Sequence, residues 1–160
     1  MFGDVSVEDS EGVLKQWDAI KREEKGTQRE SALHGISHGL PALIRAQKLQ
    51  KKAAKVGFDW PDAAPVLEKI REEADEIAVE IQKADTRAIT EEVGDLLFSV
   101  VNLARKLGVD AESALVAANA KFEQRFGKVE EKLAGQGRQP AECSLAELDA
   151  VWDEVKRVTS

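Results

Sequence analysis

Six acidic side chains lie between Glu68 and Glu80, against only Lys69 and Arg71. Glu73, Glu76 and Glu80 follow i, i+3, i+7, so on a helix their carboxylates line one face. Beside them runs an apolar stripe of Val66, Ile70, Ala74, Ile77 and Ile81. Like charges at these spacings destabilise a helix by a few tenths of a kcal/mol per pair, and a bridging cation removes that repulsion. A second acidic pair, Glu92 and Asp95, is again three apart, with Ser99 and Asn102 continuing the stripe. Its neighbours are Val93, Leu96, Leu97, Val100, Val101, Leu103 and Ala104. Carboxylates beside so apolar a surface must be paired or metal-bound, because desolvation otherwise costs several kcal/mol each. Two adjacent helices of this kind can bring Glu73, Glu76, Glu92 and Asp95 to one point. Oxygen-only ligands there suit Mg²⁺ or Mn²⁺, with water or substrate phosphates completing the octahedron. A di-iron bundle would need Glu-x-x-His on two helices, and neither acidic segment contains a histidine.

The opposite charge gathers upstream. From Ile44 to Lys55 there are five basic residues and no acid. Arg45, Lys48, Lys52 and Lys55 keep one helical stripe, while Ala42, Ala46, Leu49, Ala53 and Val56 keep another. A solvated face is the plain reading; the sharper one is an anion site in which Lys48 and Lys52 meet phosphates. Farther along, Leu115, Phe122, Phe126, Val129 and Leu133 form an expected core stripe, flanked by Asn119, Lys121 and Arg125. By residue type alone, those three are ordinary surface residues. His34 and His38 sit in a Gly-broken stretch without a nearby carboxylate, and Cys143 has no basic neighbour to activate it.

These residues need helices to position them. The chain has 4 prolines and 11 glycines, and they fall between periodic segments. No hairpin signal occurs, so the expected fold is all-α. A first helix is expected from Ser10 to about Lys25, with Val13, Leu14, Trp17 and Ile20 on one face, followed by a polar connector over Gly26 to Gly39. A second runs from about Leu40 to Val56, with Pro41 in its first turn and Gly57 past its end. A third covers about Asp62 to Lys83, and a fourth starts at Asp85 or Thr86 and reaches Leu107. Asp110 caps a fifth that ends near Ala134, and Ser144 with Glu147 is a capping-box signature for a last helix ending near Val158.

At 160 residues the chain is expected to be a single domain. Its 23 Lys and Arg against 30 Asp and Glu, a net charge of −7, argue against a nucleic-acid polymer as partner. No apolar run is long enough to cross a membrane, and the one cysteine cannot form an internal disulfide. The expected location is cytoplasmic.

With these motifs laid out, the chain resembles the MazG-type nucleoside triphosphate pyrophosphohydrolases. Lys69-Ile-Arg-Glu72-Glu73-Ala-Asp-Glu76 and Glu91-Glu92-Val-Gly-Asp95-Leu-Leu-Phe look like the family's two-part acidic signature. Leu40-Pro-Ala-Leu-Ile-Arg-Ala-Gln-Lys-Leu-Gln-Lys, Val56-Gly-Phe-Asp-Trp60 and Val101-Asn-Leu-Ala-Arg105 also look like family segments. So do Ala118-Asn119-Ala-Lys121-Phe-Glu-Gln-Arg125-Phe126 and Val151-Trp152-Asp-Glu-Val-Lys156. The likeness covers about Phe2 to Arg157. It is strongest to the C-terminal domain of the long, tandem form, whose start the opening Phe2-Gly-Asp-Val resembles, which makes the chain a candidate fragment.

The resemblance implies a helical bundle of the all-α NTP pyrophosphatase type, completed by dimerisation into a homodimer or larger homo-oligomer. It implies hydrolysis of an NTP or dNTP to the nucleoside monophosphate and pyrophosphate, with Mg²⁺ required. Carried over residue by residue, Glu73, Glu76, Glu92 and Asp95 would hold the metal. Lys121 and Arg125 would hold phosphates with Asn119 close by, and Trp152 would contact the base. Among the glutamates, Glu73 is the first candidate for general base, since the other acids can be fully occupied by metal. The rival readings are a Mg-nucleotide-binding regulator without turnover, a dimerisation module with solvated acids, and a superfamily relative acting on dUTP, dCTP or phosphoribosyl-ATP.

Overall fold

Short polar residues and glycines set the helix ends, and they do so where local sequence dictates. The computed structural model describes residues 31–159, so the helix expected over Ser10 to Lys25 and the start of the connector lie outside the described residues. Residues 31–41 are turns and irregular chain. Five α-helices follow: α1 (Ala42–Lys55), α2 (Ala64–Lys83), α3 (Thr86–Lys106), α4 (Ala111–Ala134) and α5 (Leu145–Val158). A single 3₁₀ turn, Pro140–Glu142, precedes α5, and no strand occurs among the described residues. The all-α expectation holds.

Pro41 is the N-cap of α1 rather than a residue of its first turn, and its carbonyl accepts from Arg45 N at 2.9 Å. Gly57, at φ +88°, takes the left-handed conformation that lets the chain leave α1, with Phe58 N donating to Ala53 O at 3.1 Å. Helix α2 begins two residues later than its expected start, because the Asp62 carboxylate caps Ala64 N at 2.9 Å and Pro65 occupies the first turn. Asp85 caps α3 through Arg87 N and Ala88 N, and Asp110 caps α4 through Ser113 N. Ser144 and Glu147 form the capping box of α5.

The most extensive helix contact is α2 against α3, with α1 lying on α3 and α5 packed along α4. Val66 of α2 and Val101 of α3 are fully buried. A second small core joins Val129 and Leu133 of α4 to Val155 of α5, with Leu148, Val151, Trp152 and Cys143 against it. Lys132 of α4 pairs with Glu154 of α5 on the rim.

Several expected core stripes are only half buried. On α4, Val129 and Leu133 are inside, but Leu115, Phe122 and Phe126 are exposed. On α2 the stripe ends in exposed Ile81, and on α3 Val93, Leu97 and Val100 face outward. On α1, Val56 is exposed and the buried residues are Gln47 and Gln50. Among the described residues, the other helices cover only one side of α3 and the C-terminal half of α4.

Candidate active site

Glu73 occupies the α2 side of the α2–α3 contact and is buried, 3% exposed. A carboxylate at that depth needs a partner, and Lys69, one turn earlier, provides it: Lys69 Nζ donates to Glu73 Oε1 at 2.8 Å and to Glu72 Oε1 at 2.9 Å. These two carboxylates, Glu73 foremost, push the Lys69 ammonium above its ordinary range, so it stays charged.

From α3, Glu92 and Asp95 face Glu73. Carboxylate oxygens of Glu73, Glu92 and Asp95 all lie within 4.8 Å of one another. The Glu92 carboxyl is pushed up from its ordinary value, first by desolvation and then by the charges of Glu76, Glu73 and Asp95. Three oxygen donors around one point, repelling each other, have the chemistry of a site for a hard divalent cation. Glu76 stands outside the trio. It is exposed and lines a shallow depression with Glu72, Asp75, Glu80 and Glu92, close enough for its charge to be felt at Glu92.

Glu73 and Asp95 also line a groove of about 730 Å³ between α1, α2, α3 and the α1–α2 loop. Phe58 and Trp60 of that loop line it as well. The loop is fastened to the end of α3. Arg105 forks onto the Asp59 carboxylate and onto Asn102 Oδ1, and Lys106 Nζ reaches Asp59 Oδ2 at 2.7 Å and the Trp60 carbonyl. Chiefly through the Arg105 hydrogen bond, the Asp59 carboxyl is held well below the usual carboxylate range.

The expected phosphate and base ligands lie elsewhere in the protomer. Asn119 and Lys121 are exposed on α4, and among the described residues Lys121 makes no ion pair. Arg125 Nε donates to Thr159 Oγ1 at 3.1 Å at the end of α5. Trp152 belongs to the α4–α5 core, its ring 5.3 Å from that of Phe122. Lys48 is exposed on α1, while Lys52 Nζ donates to the His34 carbonyl. Thus three of the four expected metal ligands are brought together, and among the described residues none of Lys48, Lys52, Lys121 and Arg125 pairs with them. His34 and His38 are exposed turn residues, and Cys143 Sγ contacts Gln139 O at 3.4 Å.

Residue type concealed three residues that border the trio or fasten the loop beside it: Lys69, Asp59 and Arg105. Lys69 could have been found, being four residues before Glu73. Asp59 and Arg105 are 46 positions apart and only the fold pairs them.

Residues 63–129, from the N-cap of α2 through most of α4, match the MazG nucleotide pyrophosphohydrolase domain. The chain carries a MazG domain. It is 48% identical over 160 residues to the nucleoside triphosphate pyrophosphohydrolase of Escherichia coli, covering 98% of this chain and 61% of that protein. To the nucleoside triphosphate pyrophosphohydrolase/pyrophosphatase MazG of Thermotoga maritima it is 45% identical over 142 residues, 89% of this chain and 54% of that one. The uncharacterized protein YabN of Bacillus subtilis is 43% identical over 157 residues, with 32% of its length covered. The chain therefore spans about three-fifths or less of these relatives. All three acids of the trio, and Arg105, fall inside the matched segment; Asp59 and Trp60 fall before it.

Proposed function

We propose that this MazG domain hydrolyses nucleoside triphosphates, NTP or dNTP, to the nucleoside monophosphate and pyrophosphate, in the cytoplasm and with Mg²⁺. The observation that carries the proposal is the trio of Glu73, Glu92 and Asp95, whose oxygens lie within 4.8 Å of one another. That donor set fits Mg²⁺, or Mn²⁺ in its place, with Glu76, whose charge is felt at Glu92, as the fourth ligand. When bound, the cation neutralises phosphate charge and orients the triphosphate.

The chain's own residues do the rest. Glu73 Oε1 is taken by Lys69 Nζ, which leaves Oε2 to accept the proton of the attacking water. Water adds at the α-phosphorus, the bond from that phosphorus to the bridging oxygen breaks, and pyrophosphate leaves with the electron pair. Lys69 holds the Glu73 carboxylate in place before the substrate arrives. Lys121 and Arg125, with Asn119, bind phosphates, and Trp152 borders the nucleotide from α5. Since those residues sit on α4 and α5, away from the trio, the site is completed between two protomers. Exposed Leu97, Val100, Phe122 and Phe126 are the apolar surface that such a homodimer would cover.

The test is a panel of NTPs and dNTPs incubated with the protein and Mg²⁺, with pyrophosphate measured directly. Release that depends on Mg²⁺ and is lost in Glu73→Gln is the expected result. No release above that variant would refute the hydrolysis, and orthophosphate as sole product would refute the position of cleavage. Mg-nucleotide binding without turnover would make the domain a regulator.

A further inference from the structure

We infer that Thr159 is a positioning residue for Arg125: its hydroxyl accepts the Arg125 Nε–H, so that the two terminal amino groups of the guanidinium are presented together to a phosphate of the nucleotide. The inference rests on the nucleotide hydrolysis and the phosphate role of Arg125 proposed above, and adds the residue that aims that side chain.

Arg125 is half-buried on α4, one turn after exposed Lys121. Two cations four residues apart repel along a helix, and a half-buried guanidinium needs acceptors for its donors. Among the described residues Arg125 forms no ion pair, and its one hydrogen bond runs from Nε to Thr159 Oγ1 at 3.1 Å.

The acceptor is itself fixed. Thr159 Oγ1 donates its proton to the Val155 carbonyl, one turn earlier, at 2.8 Å. With the hydroxyl proton committed there, only lone pairs are left to face Arg125. Val155 is buried in the small core that joins α4 to α5, and Thr159 closes α5 as its C-cap, with its own N–H bonded to Lys156 O at 3.3 Å. The hydroxyl is therefore tied to the packed part of α5.

A guanidinium is a planar fork of donors. Because Nε is held by Thr159, the plane cannot turn without breaking that bond. The edge that carries Nη1 and Nη2 stays open, since neither atom donates to any described residue. That edge matches two oxygens of a phosphate. An arginine already held by one bond has less rotamer freedom to lose when the anion arrives, so the hydroxyl favours binding without touching the substrate.

The experiment measures pyrophosphate release from Mg-NTP by the wild type, Thr159→Val, Thr159→Ser, Arg125→Met and the double variant Arg125→Met with Thr159→Val. Thr159→Val keeps the shape of the side chain and removes the hydroxyl. It should raise KM about fivefold, less than Arg125→Met does, with kcat within about twofold, because orienting a group that binds ground and transition states alike acts on KM. Thr159→Ser, which keeps the hydroxyl, should return KM to within about twofold of wild type. In the Arg125→Met background, Thr159→Val should leave KM unchanged. A wild-type KM in Thr159→Val overturns the inference. So does a raised KM that Thr159→Ser does not rescue, or one that persists in the Arg125→Met background, since either makes Thr159 a structural cap of α5 alone.

A wild-type KM in Arg125→Met removes Arg125 from phosphate binding and overturns the inference while the hydrolysis stands. Should the wild type release no pyrophosphate, the hydrolysis fails on its own. Equilibrium binding of Mg²⁺ with α,β-methylene ATP to the same proteins then supports or overturns the Thr159 assignment. Should Thr159→Val fail to fold, Thr159→Ala removes the hydroxyl with no apolar group in its place and serves in each comparison.

Discussion

Replacing Asp95 by Asn should stabilise the protein without divalent cation and destabilise it, relative to wild type, with one. Asp95 is exposed on α3 and makes no ion pair among the described residues, so the substitution breaks no favourable charge contact. It does remove one of three carboxylates whose oxygens lie within 4.8 Å of one another. At that separation two unit charges repel by about 0.9 kcal/mol in bulk water and about 3.5 kcal/mol at an effective dielectric of about 20. The exposure of Asp95 places the gain near the lower figure, about 1 kcal/mol, or about 3 °C in Tm for a chain of this size. A saturated site acts in the opposite direction. Mg²⁺ at about 100 times its Kd adds about 2.7 kcal/mol, or about 8 °C. A site weakened about a hundredfold by losing one anion would gain only about 0.4 kcal/mol at the same concentration. Scanning calorimetry of both proteins in chelator and in MgCl₂ reads all four values, with Asp75→Asn as an exposed acid outside the trio. If Asp95→Asn leaves the chelated Tm unchanged or lower and keeps the full Mg²⁺ shift, the three carboxylates are not one cation site.

Two further outcomes follow from the charge network. Arg105→Met should lower Tm by about 3–6 °C, since a part-buried charged hydrogen-bond fork on Asp59 contributes about 1–2 kcal/mol after allowance for exposure, and the same variant should raise KM for NTPs by loosening Phe58 and Trp60. A Tm within 1 °C of wild type would count against the fastening. At α5, the backbone N–H of Ser144, then Arg138, lower the Glu147 carboxyl to about 2 from 4.5. A depressed acid stabilises the fold above its unfolded pKa and loses that contribution as pH falls through its folded one. The stability gap between wild type and Glu147→Gln should therefore close between pH 4.5 and about 2 in urea titrations, and a gap constant over that window would refute the assignment.

The parts of the fold that were legible in the sequence are those decided within one helical turn. Asp85, Asp110 and Ser144 cap their helices through N–H groups two or three residues away, so their types and positions sufficed. The acids at i and i+3 were legible for the same reason. Which of them meet was not. Residues three apart on a helix are rotated by about 60°, and that rotation sends Glu73 into the α2–α3 contact and Glu76 to its outer edge. Helix α1 shows the converse: its glutamines are buried and Val56 is exposed, because α3 packs on the face that Gln50 occupies and bonds to it through Phe98 O. Hydrophobic spacing names a face, but the neighbouring helix decides how much of it is used.

The same rotation accounts for the division of labour around the trio. Glu73 is buried where α2 meets α3 and lines the groove but not the outer depression. Glu92 turns toward the depression that Glu76 lines, and Asp95 turns toward the groove that Gln50 and Phe58 line. A cation held among the three would stand between an acid-lined exterior and an aromatic-walled groove. The placement that makes the trio electrostatically costly is also what makes a divalent cation the group best suited to relieve it.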